Sequence, residues 1–161
     1  SGVGMEVSRT FDIFADYFQF VLMDENCEDD FASVWTDEAL ALMLAVGDTS
    51  VCPGTLRNVH VPVEVHVHLS EPSVDIAGYD HAVSASFQLP SGRLVVMGCT
   101  DYLPEASRLE IAPGPYQLLY LVSGMESITY ESDPADDRYI VHLWPGQPRE
   151  PALLKHWRPS A

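Results

Sequence analysis

The chain has 161 residues, of which 47% are hydrophobic, so it suits one globular domain with a single core and is not a disordered segment. Its net charge of −16 disfavours binding to nucleic acid or to an anionic membrane, and it favours a basic protein as partner. No apolar run approaches the roughly 20 residues that a membrane-spanning helix needs.

The termini and the cysteines bear on origin and location. Residues 1–4 are interpreted as a remnant of cloning ahead of a natural start at Met5, and they lack the basic and apolar regions of a signal peptide. The chain has three cysteines, Cys27, Cys52 and Cys99, which are widely spaced and follow no metal-binding pattern. Free thiols in a reducing compartment are the simplest interpretation, so the expected location is the cytoplasm.

The first part of the chain contains strands, an acidic loop and one helix. Residues 9–23 are rich in aromatic and β-branched residues and predict a bent strand or two short ones. Residues 24–30 (DENCEDD) contain five carboxylates and predict an exposed loop. Thr36 is a good N-cap, two acidic residues follow it, and residues 39–46 are apolar or favour a helix. We therefore predict a short helix that ends at Gly47.

The remainder of the sequence predicts strands joined by turns. Residues 58–69 alternate between apolar and polar side chains with the strand period of two, which predicts one buried and one exposed face. Further strands are predicted over residues 81–89, 93–97, 107–111, 116–122 and 138–144. Together these elements predict an all-β fold: an antiparallel β-sandwich or jelly-roll-like domain with one short accessory helix. The domain is expected to span residues 5–146, with a Pro-rich tail over residues 147–161.

One candidate site is a group of histidines and carboxylates on the longest predicted strand. The strand period places Glu64, His66 and His68 on one face, and imidazoles and carboxylates are common ligands of divalent metals. The segment HVHLSE, which begins at His66 and ends at Glu71, also resembles the first metal-binding motif of the cupins. That resemblance implies a metal-dependent enzyme with Glu71 as a further ligand. The alternative is an ordinary solvated strand face.

A second candidate site consists of carboxylates in two acidic loops. Acidic runs in loops are usually only solvated, but loops that lie together would form an acidic patch for calcium or for a basic partner. The predicted partner-binding residues are Asp24, Glu25, Glu28, Asp29, Asp30, Glu131, Asp133, Asp136 and Asp137.

Recognisable catalytic signatures are missing from the sequence. It contains no Gly-x-Ser-x-Gly elbow, no phosphate-binding loop, and no dinucleotide-binding fingerprint ahead of a helix. We therefore predict no catalytic residues and no cofactor, apart from the divalent metal that the histidine-rich strand would bind under the cupin-like alternative.

Four short segments follow one another in a distinctive order. Residues 17–20 (YFQF) precede residues 35–39 (WTDEA), and residues 113–118 (PGPYQL) precede residues 137–141 (DRYIV). This order resembles the competence protein J family, a small bacterial family whose best-known members inhibit a DNA-entry nuclease by binding it. The resemblance implies inhibition by binding, so it implies no catalytic residues.

The sequence as a whole predicts a non-enzymatic acidic binding domain, an inhibitor or immunity-type partner of a basic protein such as a nuclease. The first alternative is a cupin-like metal-dependent enzyme that uses the histidine-rich strand. The second is a structural homodimer formed by pairing of edge strands.

Overall fold

The computed structural model describes residues 6–130 and 133–156 and consists of two β-sheets with short helices. The strands are β1 (Val7–Phe14), β2 (Phe20–Asp24), β3 (Leu44–Val46), β4 (Ser50–Pro53), β5 (His60–Val67), β6 (His81–Leu89), β7 (Arg93–Gly98), β8 (Ser107–Glu110), β9 (Gly114–Ser123), β10 (Arg138–Pro145) and β11 (Ala152–Lys155). The α-helices are α1 (Phe31–Val34) and α2 (Asp37–Leu42). Within these ranges, no helix has the length and apolar character to cross a membrane.

The predicted all-β fold is confirmed. One sheet has the strand order β1-β5-β10-β9-β6-β11 and the other has the order β3-β4-β2-β7-β8. All described strand pairs are antiparallel except β5 and β10, which run parallel from Val63 beside Tyr139 to Val67 beside Leu143. The period of two reports which side chains face the core, but it carries no information on the direction of the neighbouring strand.

The core lies between the two sheets. The apolar positions of β5, which include Val61, Val63 and Val65, are fully buried in it, as their alternation predicts. Phe20 of β2 meets Tyr120 of β9 across the interface, with ring centroids 6.0 Å apart and an interplanar angle of 75°. Such edge-to-face pairs add to the apolar burial that holds the two sheets together.

The predicted helix exists but is shorter than expected. Its N-cap is confirmed, because Thr36 Oγ1 accepts a hydrogen bond of 3.1 Å from the Ala39 amide. The helix ends at Leu42, Met43 adopts a left-handed φ of 56°, and the next three residues form β3. The prediction of helix to residue 46 was wrong because these residues pair with β4, a strand that was also not predicted, and the pairing gives Leu44 and Ala45 buried positions in the sheet.

Part of the predicted C-terminal tail is a strand. Residues 152–155 form β11, in which Ala152 lies beside Ser84 and Leu153 beside Val83 of β6. The folded domain therefore continues beyond residue 146. Most residues of β11 are exposed, so this edge strand has no apolar alternation that the sequence could reveal. The proposed cloning remnant, residues 1–4, lies outside the described residues.

The strand directions define two ends of the sandwich. The end of β2, the start of β7 and the turn at residues 90–92 lie together, and we name this the Arg93 end. The turn at residues 16–18, the segment after β4 and the described parts of the connection between β9 and β10, residues 124–130 and 133–137, lie at the opposite end, which we name the Arg57 end.

Candidate partner-binding site

The predicted histidine-rich face exists and gains one further histidine. Glu64 and His66 of β5, and His68 directly after it, lie half-buried on the same side of the sheet, and the parallel pairing of β10 places His142 beside His66. His68 Nε2 lies 2.8 Å from His142 Nδ1. The rings of His66 and His142 stack with their centroids 5.0 Å apart. The sequence predicts a strand over residues 138–144 that contains His142, but only the pairing of the two strands brings this residue into the group.

Two of the side chains predicted as metal ligands, Glu64 and His66, already interact with polar neighbours. Glu64 Oε2 accepts hydrogen bonds of 3.0 and 2.6 Å from the Arg138 guanidinium. His66 Nδ1 lies 2.8 Å from Ser8 Oγ. Glu71 lies in the connection after β5, where it lines a separate cleft. No group of three or more His, Cys, Asp or Glu side chains in residues 6–130 and 133–156 is placed to hold a metal ion, so these residues supply no ligand set for the cupin-like alternative.

Acid is expected to destabilise the protein through His142. Burial, followed by the proximity of His66 and His68, lowers the pKa of this imidazole from 6.5 to about 4. The unfolded state therefore binds more protons between pH 6.5 and 4, and the free energy of unfolding falls as the pH falls through that range. We expect a loss of about 2 kcal/mol, less than the full shift because the ring is only half-buried.

Urea unfolding of the wild type and of His142→Gln, each at pH 7 and pH 4.5, measures this contribution. The variant should lose less stability on acidification than the wild type does. An equal loss in the two proteins would show that other groups account for the acid sensitivity.

The acidic loop after β2 begins with a buried carboxylate. Asp24 is fully buried, so its prediction as an exposed loop residue was wrong. Its Oδ1 accepts hydrogen bonds of 2.9 and 2.7 Å from the amide and hydroxyl of Ser91, and its Oδ2 accepts one of 3.0 Å from the amide of Asn26. Asp24 thus ties the β2 end to the turn between β6 and β7 and does not face a partner.

Two further residues of this loop also hold the fold. Glu25 accepts hydrogen bonds from Arg93 and from Arg108, the latter at 2.9 Å, and these bonds lower the pKa of Glu25. Burial raises the pKa of Asp29, but hydrogen bonds such as that of 2.6 Å from Ser50 Oγ outweigh it, so the pKa lies below its ordinary value. These carboxylates are engaged within the protein.

The second acidic loop is anchored by a buried ion pair. Asp137 was predicted to face a partner, but it is buried and accepts hydrogen bonds of 3.0 and 2.6 Å from the Arg57 guanidinium. The Tyr139 hydroxyl donates a further hydrogen bond of 2.6 Å to the same carboxylate. Arg57 Nη1 also donates to the backbone carbonyl of Asp133 at 2.9 Å, so the ion pair fixes the loop against the sandwich.

The predicted carboxylates that remain exposed are divided between opposite ends of the sandwich. Glu28 and Asp30 lie at the Arg93 end, whereas Asp133 and Asp136 lie at the Arg57 end. Glu131 lies outside the described residues. The two loops therefore do not form one continuous acidic surface.

An apolar groove that the sequence did not predict opens at the Arg57 end. Its volume is about 400 Å³, and its apolar surface comes from Tyr17, Phe18, Trp35, Leu40, Met43 and Leu56. Tyr17, Phe18 and Leu40 have 69%, 47% and 63% of their surface exposed. Exposed apolar patches of this kind are typical of protein interaction sites.

The two aromatic residues at the groove mouth have a left-handed backbone, with φ of 60° at Tyr17 and 59° at Phe18. This conformation costs about 1–2 kcal/mol for each L-residue. The Phe18 amide donates to the Ala15 carbonyl at 3.0 Å, and the Phe18 carbonyl accepts from the Thr55 amide at 2.8 Å. The Tyr17 amide donates to Asp16 Oδ1 at 3.0 Å. These bonds hold both rings away from the core.

The floor of the groove is supported from beneath by two buried tyrosines. The Tyr120 hydroxyl donates to the Gly54 carbonyl at 2.5 Å. The Tyr139 hydroxyl accepts a hydrogen bond of 3.2 Å from the Leu56 amide while it donates to Asp137. Burial raises the pKa of both phenols, so they stay protonated as donors. The groove is thus coupled to the ion pair that anchors the second acidic loop.

Comparison with known proteins shows relatives of this fold. The family model described as Competence protein J (ComJ) matches residues 12–144. The crystal structure of ComJ from Bacillus subtilis, described as an inhibitor of the DNA degrading activity of NucA, is similar with a TM-score of 0.64 and 20% identity, covering 88% of this chain and 98% of that one. A structure described as crocagin biosynthetic gene J has a TM-score of 0.58 and 22% identity, covering 90% and 99%. No curated protein matches the chain significantly.

Proposed function

The chain belongs to the competence protein J family, and from this membership we propose that it is a non-enzymatic protein that inhibits a nuclease by binding to it. The family match over residues 12–144 carries the proposal. It is supported by the described activity of Bacillus subtilis ComJ, whose structure this chain covers over 98% of its length.

We further propose that the nuclease is a basic protein. A nuclease must accept a polyanion, so its active-site cleft is commonly positive, and an acidic protein can occupy such a cleft in place of phosphate. The net charge of −16 supports this mode of inhibition.

DNA cleavage assays test the inhibition directly. The purified protein is mixed with NucA of Bacillus subtilis and with NucA-like nucleases encoded in the same genome as this chain. We expect cleavage by the matching nuclease to stop at stoichiometric protein, and the two proteins to elute together in size-exclusion chromatography.

Two controls separate binding from other causes of inhibition. Excess divalent metal should not restore cleavage, which excludes chelation, and the protein alone should not shift DNA in a mobility assay, which excludes masking of the substrate. If every nuclease retains full activity and forms no complex at low salt, the proposal is wrong.

The rate of association is expected to depend strongly on salt. Between 50 and 500 mM NaCl we expect the association rate constant to fall at least about tenfold, with a smaller change in the dissociation rate, because salt screens the attraction between exposed charges. Surface plasmon resonance with the immobilised nuclease measures both rates. An association rate that is independent of salt would contradict the basic partner while leaving inhibition intact.

A further inference from the structure

The apolar groove at the Arg57 end combines exposed aromatic rings with acidic surroundings. We infer that it is the surface by which the protein binds its nuclease, and that it takes a segment of that partner carrying an arginine or lysine beside an apolar side chain. This inference rests on the proposed function, but it concerns the location and chemistry of the interface.

The strained turn is the first support for a binding role. In a turn that serves only the fold, glycine or asparagine adopts the left-handed conformation at a lower conformational energy than other residues do. Here Tyr17 and Phe18 occupy them and expose 69% and 47% of their surface. Backbone strain that a fold retains is characteristic of functional sites. Aromatic residues such as Tyr and Trp are also enriched among the few residues that dominate binding at protein interfaces.

The charge around the groove is the second support. Asp16 immediately precedes Tyr17, and Asp37 lies one helical turn before Leu40 on the same side of α2. Asp133 is exposed, and its carbonyl is bonded to Arg57, which follows the groove floor. No lysine or arginine is among the described residues that line the groove.

Aromatic faces beside carboxylates match one kind of occupant. A guanidinium or ammonium group stacks over aromatic rings by the cation–π interaction and pairs with nearby carboxylates. The apolar stem of the same side chain, or an apolar neighbour, fills the space beside Leu40 and Met43. A nuclease with a positive surface presents such side chains.

The other acidic surfaces fit this partner less well. At the Arg93 end, two arginines already pair with Glu25, which reduces the negative potential there. A cleft of about 460 Å³ between β1 and β8 contains carboxylates such as Asp12 and Glu105. Of the two aromatic rings that line it, Phe11 is buried, so Tyr102 alone is exposed to a partner. Substitutions at these two surfaces therefore provide matched controls.

Binding of groove variants to the same nuclease tests the inference. We expect Tyr17→Ala and Phe18→Ala each to weaken binding at least about tenfold, and the double variant Asp16→Asn/Asp37→Asn to weaken it severalfold. Tyr102→Ala should change the affinity less than about twofold, as should Glu28→Gln/Asp48→Asn, which removes the same charge from exposed residues at the Arg93 end.

A glycine variant separates binding from folding. Phe18→Gly removes the ring and also relieves the left-handed strain, so its melting temperature should not fall below that of the wild type. Its affinity for the nuclease should nevertheless fall as far as that of Phe18→Ala. If Phe18 had only a structural role, its replacement by glycine would not combine an undiminished melting temperature with a weakened affinity.

A peptide titration tests the chemistry of the occupant without a nuclease. The Trp35 indole N–H donates to Gln19 Oε1 at 2.8 Å beside the groove and reports on it in NMR spectra. Acetyl-Leu-Arg-amide should shift this signal in a saturable way, whereas the neutral citrulline analogue should shift it much less.

The outcomes distinguish the two proposals. If the wild-type protein inhibits the nuclease but Tyr17→Ala and Phe18→Ala bind it as tightly as the wild type, the groove is not the interface, although the function stands. If the protein inhibits no nuclease, the proposed function fails, and the peptide titration still decides whether the groove selects a cation. Equal responses to the arginine and citrulline peptides would overturn the assignment of a cationic occupant.

Discussion

Replacement of Asp137 by alanine is expected to lower the free energy of unfolding by about 3–5 kcal/mol. The carboxylate is buried, and the side chain of its partner Arg57 is only 7% exposed. The substitution would leave a buried guanidinium without its carboxylate and would remove the acceptor of the Tyr139 hydroxyl. Urea unfolding at pH 7 measures the change.

The neighbouring Asp136 provides the control because its side chain is exposed. Asp136→Ala should change the free energy of unfolding by less than about 0.5 kcal/mol. Adding Arg57→Leu to Asp137→Ala should recover part of the loss, since the buried charge is then removed. If Asp137→Ala is no more destabilising than Asp136→Ala, the ion pair does not anchor the loop.

Replacement of Gly124 by alanine is expected to destabilise the protein by about 2–4 kcal/mol. Gly124 has a φ of +73°, and a Cβ atom there would lie 2.1 Å from the carbonyl oxygen of Asp136. The chain must therefore shift where it enters the second acidic loop. Thermal and urea unfolding measure the loss.

Gly78 is a matched control for this substitution. It has no positive φ, and a Cβ atom would meet no heavy atom within 4 Å. Gly78→Ala is expected to leave the free energy of unfolding within about 0.5 kcal/mol of the wild type. Equal stability of the two alanine variants would contradict the close approach of Asp136 to Gly124.

Alternation revealed β5 because only one face of this strand lies in the core. β5 has a buried residue at every second position, so burial and alternation coincide. β4 is buried throughout its four residues, and β11 is almost wholly exposed, so neither shows a period of two. Sequence periodicity detects a difference between two faces, and it fails where both faces have the same environment.

The candidate sites were less predictable because they depend on tertiary contacts. Asp24 and Glu28 belong to the same acidic run, but only Asp24 accepts hydrogen bonds from Ser91. Because Ser91 is distant in sequence, the run itself does not reveal this difference. Tyr17 and Phe18 lie in an aromatic stretch that reads as strand. Their left-handed turn is fixed partly by a hydrogen bond from the Thr55 amide to the Phe18 carbonyl, and no local sequence pattern predicts this contact.

The parallel pairing of β5 with β10 has a consequence for biosynthesis. The edge of β5 that pairs with β10 can complete its backbone hydrogen bonds only after β10 has been translated, as the pairing of Val63 with Tyr139 shows. Pairing of segments so far apart in sequence closes a long loop and makes folding slow. Until then the nascent chain presents an open strand edge to other chains. Polypeptides that terminate before residue 138 are therefore expected to aggregate or to require a chaperone, whatever the stability of the completed sandwich.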